Sequence, residues 1–406
     1  MIPDLARRQE SLFACPECGA DLKFSSKKIV CRNRTHSFNY QEGIPLLFAP
    51  TRQNSKTDVT EKVRRFYDDN PFPNYDGIDS RETLEARAKQ GLFALALRSE
   101  LPKSARVLEV GCGTGQFSNF LAAGENLDVF AADASFQALK LGNEFKNKHR
   151  LSGVSFLQMN LFKPAFKPKT FDLVICNGVL HHTSDPFLGF QALVNLVKDN
   201  GLILVGLYNK YGRLYTAARR LAVNKLGKFG KRLIASDPYF KKHSELSEAK
   251  KRAWFMDQYQ HPHESVHTIG EVLDWFDQSS VEFISSMPAI TARSEDFSQT
   301  RLFLKQPGGT RFSHFISQIR MALRGKENGG LFIMIGLRNT INYVRSEARI
   351  ADLGYSRLRT LKQFWFFAKE HKQWWLMPLF LLLLLVGLFF IVVQSSPLAP
   401  LIYPLF

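Results

Sequence analysis

The 406-residue sequence predicts an α/β protein: a doubly wound sheet of buried parallel strands, with a small cysteine-rich unit ahead of it and one apolar membrane span behind it. Three observations carry that expectation. Short apolar runs (RVLEV, LDVFAAD, VSFLQM, FDLVICN, GLILVGLY) recur with stretches of helical spacing between most of them, as strands covered on both faces do. A C-x2-C pair at Cys15 and Cys18 is followed by Cys31 and His36. From Leu376 to Val393, eighteen consecutive residues carry no charge, close to what a helix needs to cross a hydrocarbon core of about 30 Å.

Composition limits the function. At 45% hydrophobic and 22% charged the chain is folded rather than disordered, and its length suits two to three folded units. A net charge of +17 asks for a negative partner: an anionic membrane surface, nucleic acid or an acidic substrate. The apolar span favours the membrane. Three of the five cysteines fall between residues 15 and 31, a crowding that points to metal ligation in a reducing compartment rather than to secreted disulfides. The opening MIPDLARRQE has no apolar core, so no signal peptide is expected.

Within residues 1–50, two tight turns bring Cys15, Cys18, Cys31 and His36 together as four ligands for a tetrahedral zinc, and a fully protein-ligated zinc is structural. The alternative is a knuckle kept without metal. CPECGADLKFSSKKIVCRNRTHSF and the following GIPLL resemble the zinc-ribbon module that precedes the catalytic domain in some bacterial methyltransferases and occurs alone as their partner subunit. Residues 51–103 begin as a polar linker and continue as EKVRRFYDDNPFPNYDGID, whose aromatics and prolines suit either packing onto the next domain or a lid over a site.

Next comes strand, glycine loop and helix. Gly111, Gly113 and Gly115 form G-x-G-x-G, with Gln116 where the dinucleotide fingerprint has a further glycine. Asp133 closes the second strand, where a carboxylate can accept ribose hydroxyls. LEVGCGTG, this acid and FDLVICNGVLHHTSDP together resemble the class I S-adenosylmethionine-dependent methyltransferases, specifically the branch that acts on quinones, lipids and other small molecules. The resemblance implies a Rossmann-like sheet of seven strands within residues 104–340. It also implies that Glu109, Gly111, Gly113 and Gly115 hold the methionine part, Asp133 the ribose, Asn160 and Leu161 the adenine, and Asn177 the sulfonium side. Asn160 departs from the family's usual aspartate, although its amide oxygen can still accept a hydrogen bond.

His181 and His182 follow the fourth strand and are candidates for a general base, or for shaping the pocket. His261, His263 and His267 form a second cluster. An insertion over about residues 209–265 contains a basic amphipathic stretch from Arg213 to Arg232, suited to anionic lipid, to a solvated helix face, or to both. Residues 341–406 hold a juxtamembrane segment and the span at 376–393; their last part resembles a family of short uncharacterised bacterial membrane proteins. Basic residues before the span and none after it place the catalytic part in the cytoplasm, on a single-pass protein of the bacterial inner membrane.

The expected activity is methyl transfer to a lipid, a lipid-linked saccharide or another membrane-associated small molecule, with S-adenosylmethionine as cofactor, structural zinc, and a membrane-protein partner open through the last helix. The competing readings are an RNA methyltransferase, for which nucleic acid is not the expected partner given the span and the N-G-V-L after the fourth strand, and a non-catalytic cofactor-binding scaffold.

Overall fold

Three strands too short to enclose a core open the chain: β1 (Leu22–Phe24), β2 (Ile29–Cys31) and β3 (Ser37–Phe38), paired antiparallel. Their apolar side chains are buried against the body of the protein, where the Phe13 ring lies 4.8 Å from that of Phe166 and 6.0 Å from that of Phe130. The computed structural model describes residues 9–51, 59–89, 92–124, 127–221, 247–291, 301–328 and 330–339.

β4 (Tyr40–Gln41) and β5 (Ile44–Leu47) form a hairpin. Three helices then cross outside the sheet: α1 (Val59–Asp69), α2 (Arg81–Lys89) and α3 (Leu92–Glu100). The doubly wound core alternates β6 (Arg106–Val110), α4 (Gln116–Ala123), β7 (Asp128–Asp133), α5 (Phe136–Lys148), β8 (Val154–Met159), β9 (Phe171–Asn177), α6 (Pro186–Leu196) and β10 (Val197–Tyr208). α7 (Glu248–Tyr259), α8 (Ile269–Gln278), β11 (Val281–Met287), α9 (Arg311–Asn328) and β12 (Leu331–Arg338) complete it. Local signals fix the helix starts: Ser135 caps α5, Asp185 caps α6 ahead of Pro186, and Thr268 with Glu271 forms a capping box on α8.

One sheet of nine strands runs β11-β12-β10-β9-β6-β7-β8-β5-β4. β5 through β10 are mutually parallel where they pair, and β12 lies antiparallel between β10 and β11. The expected seven strands are therefore present as β6 to β12, and the count is corrected to nine by β4 and β5. The reason is pairing across more than a hundred residues: Leu46 and Leu47 of the GIPLL run register with Gln158 and Met159 of β8. The closing strand of the cysteine-rich unit thus belongs to the main sheet.

Successive strands go one way from β6 to β8 and then return to the other side of β6 for β9 and β10, which creates a switch point at the carboxyl end of β6. Among the described residues no helix is long and apolar enough to cross a membrane; the span at 376–393, and residues 222–232 of the basic stretch, lie outside them.

Candidate active site

A cavity of about 460 Å³ opens at that switch point. Glu109 and Val110 line it from β6, Asp133 from β7, Met159 from β8, Asn177 from β9 and Tyr208 from β10. Gly111 and Gly113 come from the loop after β6, Tyr67 and Phe72 from α1 and the segment after it, and Trp254, Asp257 and Gln258 from α7.

The glycine loop is locked by its neighbours. Gly113 sits at φ +53°, and a Cβ there would lie 2.2 Å from the carbonyl oxygen of Phe72. Its freedom from a side chain therefore serves the aromatic segment that packs over the loop. That segment is pinned in turn by Thr114 Oγ1 donating to Pro73 O, Gln116 Nε2 to Asn74 O at 2.6 Å, and Tyr75 OH to Thr114 O at 3.1 Å. The aromatic segment thus both packs on the body and lines the cavity. Gly111, at φ +71°, would set a Cβ against Val179, and Gly115 packs on the Phe156 ring.

Asp133 is half-buried and accepts from Gly113 N and Ser135 N, each at 2.8 Å; burial raises its pKa. Glu109 is buried, accepts from Ser118 Oγ, and is pushed up to about 7 by burial. Asn177 is exposed on the cavity wall, and its Oδ1 lies 1.8 Å from where a Cβ on Gly206 would stand. Asn160 and Leu161 both line the cavity. The Asn160 amide is already engaged in both directions, donating to Ala49 O at 2.8 Å and accepting from Phe162 N at 3.0 Å, so it fastens residue 49 to the sheet.

At the other end the two histidines part. His182 lines the cavity; His181 does not, being fully buried with its ring stacked on Tyr208 at 3.9 Å. His181 is thus corrected from a candidate base to a packing residue, because its side chain is turned into the core. His182 Nδ1 lies 2.9 Å from the carbonyl of His263, which can only accept, so the ring proton is on Nδ1 and Nε2 presents a lone pair with no partner among the described residues. Burial pushes the His182 pKa down to about 3.

Sequence reasoning missed the groups that dominate this end. Asp257 accepts from Tyr67 OH at 2.8 Å and from Gln258 Nε2 at 2.8 Å, and burial raises its pKa. Gln258 also donates to Tyr208 OH at 2.9 Å, while Arg213 Nη1 donates to its Oε1 at 2.5 Å. Since guanidinium only donates, this contact sets the amide with its NH2 toward Asp257. Arg213 is ion-paired with Glu264 at 2.7 Å, lies over the Tyr208 ring at 3.7 Å and is only 2% exposed. It is removed from the expected basic surface for that reason. The one available signal was its acidic partner in HPHESVHT, next to the histidine cluster. Of that cluster, His261 stacks on His182 at 3.6 Å, whereas His267 pairs with Glu271 at 2.8 Å on α8; neither is among the residues lining the cavity.

Away from the cavity, the ligand atoms of Cys15, Cys18, Cys31 and His36 all lie within 4.8 Å of one another. His36 Nδ1 is 3.7 Å from Cys15 Sγ and 3.9 Å from Cys31 Sγ, close to the edges of a tetrahedron with bonds of about 2.0–2.3 Å. The donor set and its spacing fit zinc.

Residues 101–279 match a family model described as a methyltransferase domain, and residues 358–406 match a family of unknown function, DUF5989. An uncharacterised Synechococcus protein is 26% identical over 56% of this chain and 60% of its own length. The ubiquinone biosynthesis O-methyltransferase of Colwellia psychrerythraea is 34% identical over 30% of this chain and 48% of its own. The chain thus spans about half to three-fifths of the length of these relatives. Among solved structures, PKMT2 from Rickettsia typhi in complex with AdoHcy aligns with a TM-score of 0.43 at 14% identity, covering 61% of this chain and 52% of that one.

The cavity's chemistry fits the cofactor of such a domain. In a protein of net charge +17, its glycine-loop end is lined by the carboxyl groups of Glu109 and Asp133, and Arg64 is the one lysine or arginine among the described lining residues, itself paired with Glu61 and Asp68. A sulfonium with an ammonium and ribose hydroxyls supplies the cations and donors that this wall lacks. Residues 101–279 are a methyltransferase domain of the S-adenosylmethionine-dependent kind.

Proposed function

We propose that the protein methylates a hydroxyl group on a lipid, a lipid-linked saccharide or another small molecule held at the cytoplasmic face of the bacterial inner membrane. The observation that carries the reading is the Asp257 carboxyl, buried in the same cavity as Glu109 and Asp133 and held by Tyr67 and Gln258. When bound, S-adenosylmethionine supplies an electrophilic methyl group. Glu109, Asp133, Asn177 and the loop from Gly111 to Gly115 would hold it, with Asn160 and Leu161 beside the base.

The chain's own residues then have to align a nucleophile and take its proton. His182, neutral with its proton on Nδ1, offers Nε2 as a hydrogen-bond acceptor that orients the hydroxyl; a pKa near 3 makes it a poor final owner of the proton. Asp257, a carboxyl that burial raises from its ordinary value, is the better receiver. Phe72, Trp254, Tyr67 and Tyr208 wall the cavity and limit water. Relatives named for O-methylation in ubiquinone biosynthesis support a hydroxyl acceptor. The uncharged run at 376–393 supports a membrane location, where tethering raises effective concentration of the acceptor. We further propose a structural zinc on Cys15, Cys18, Cys31 and His36, holding β1 to β3 in place.

Methyl-labelled cofactor, incubated with the protein and separate lipid, RNA and protein fractions of membranes, tests the reading. Label is expected in the lipid fraction. Label in RNA or protein instead would overturn the substrate class, and cofactor binding without label in any fraction would overturn catalysis.

A further inference from the structure

α9 is amphipathic the wrong way round for a helix in water. Its inner face puts Met321 in the core and is otherwise polar and satisfied: His314 Nε2 lies 2.7 Å from Gly308 O, Ser317 Oγ donates to Ala289 O at 2.9 Å, and Gln318 Oε1 accepts from Ile269 N at 3.1 Å. Its outer face is apolar and open. Phe312 is 73% exposed, Phe315 48% and Leu323 68%, with Ile319 half-buried between them. Positions 312, 315, 319 and 323 fall on one stripe of a 3.6-residue helix. A stripe of large apolar side chains turned outward marks an interaction surface rather than a core.

We propose that this face of α9 lies in the surface of an anionic lipid bilayer. Charge selects the occupant. Arg311 and Arg320 are exposed on the same helix, and no acidic residue occurs from Arg311 through Lys326. A second copy seated on this stripe would bring like charges together, whereas anionic headgroups complement them while the acyl boundary takes the phenyl rings.

A neighbouring segment repeats the apolar part of the pattern. The chain after α9 turns at Gly330, whose Cα is 2.9 Å from where a Cβ on Gly212 would stand, and residues 214–221 run helically from there with Leu214 and Leu221 exposed, while Arg220 is turned to Glu264 and the His261 carbonyl. Leu331, the first residue of β12, lines the cavity.

The proposal rests on the membrane reading above, and its test does not need turnover. The full chain carrying the photo-crosslinker p-benzoylphenylalanine at position 312 is reconstituted in phosphatidylglycerol or phosphatidylcholine vesicles and irradiated. A control carries the crosslinker at position 248, where the Glu248 side chain is 90% exposed. The expected result is several-fold more lipid adduct from position 312 than from 248, and more in phosphatidylglycerol than in phosphatidylcholine. Adducts from 312 to a second copy or to residues 222–246 of the same chain, or lipid adducts no more frequent than from 248, would overturn it. Adducts without methyl transfer would reject the proposed function and leave this surface standing.

Discussion

At the glycine-loop end of the cavity the interacting groups are close in sequence: Gly113 N–H and the Asp133 carboxylate that it meets are twenty residues apart. At the end lined by His182, Tyr67 and Asp257 are 190 residues apart, and His182 is held by the carbonyl of a residue 81 positions later. The first end is made by consecutive turns of one βαβ unit, so its geometry is set by local backbone chemistry. The second is assembled from α1, α7 and the loop after β9, none of which carries a pattern of its own. Under the proposed function, the first end would hold the cofactor and the second would select the acceptor.

The largest effect is expected from breaking the first end. Gly113→Arg puts a side chain at φ +53° and a Cβ 2.2 Å from the Phe72 carbonyl, displacing loop and aromatic cover together. Calorimetry should show S-adenosylmethionine affinity lost by more than ~100-fold, the order of two charge-assisted hydrogen bonds. Unchanged affinity would mean that the loop does not bind the cofactor. Asp133→Ala should weaken binding by roughly 10- to 100-fold, the loss of one charged hydrogen-bonding group, with the fold retained.

This contrast also governs what could be read in the sequence. The strands, the glycine loop, Glu109, Asp133 and the four zinc-type ligands were legible because each depends on neighbours a few residues away or on a fixed spacing. β5 was not legible as part of the sheet, since GIPLL looks the same whether it closes a small module or extends β8. Arg213 read as one more cation of a basic run until Glu264, 51 residues on, drew it inward. His181 and His182 were indistinguishable as a pair, and only the turn that stacks one on Tyr208 and sets the other, also buried, at the cavity wall separates them.

A smaller effect should appear in stability against pH. His182 and His261 are pushed down to about 3 by burial, from an ordinary value of 6.5. Between these values the unfolded chain binds protons that the folded chain refuses. Each histidine therefore leaves stability intact above pH 6.5 and lowers it by ~1.4 kcal/mol per unit as pH falls toward 3. Glu109, raised to about 7, acts in the opposite sense, favouring the fold below its ordinary 4.5 and losing that contribution as pH rises to 7. The difference between the parent and His182→Gln isolates one histidine: urea midpoints measured from pH 7 to pH 4 should converge on acidification if the fold is otherwise kept. Parallel curves would place His182 in water.

The smallest effect at the site is expected from Cys18→Ser. Metal analysis should show one zinc lost and β1 to β3 loosened, while S-adenosylmethionine affinity stays within about twofold, since the knuckle lies away from the cavity and structural metal energy is spent on local folding. A parent protein without zinc would reject the metal site.

The central claim is that the two ends divide the work, one holding the cofactor and the other receiving the proton. Single-turnover methyl transfer by Asp257→Asn at saturating S-adenosylmethionine, using the acceptor fraction that the labelling experiment identifies, tests it most directly. The expected result is a rate lower by about 10²- to 10⁴-fold with cofactor affinity unchanged, since an amide cannot accept the proton. An unchanged rate, or a rate that falls only in step with cofactor affinity, would contradict it.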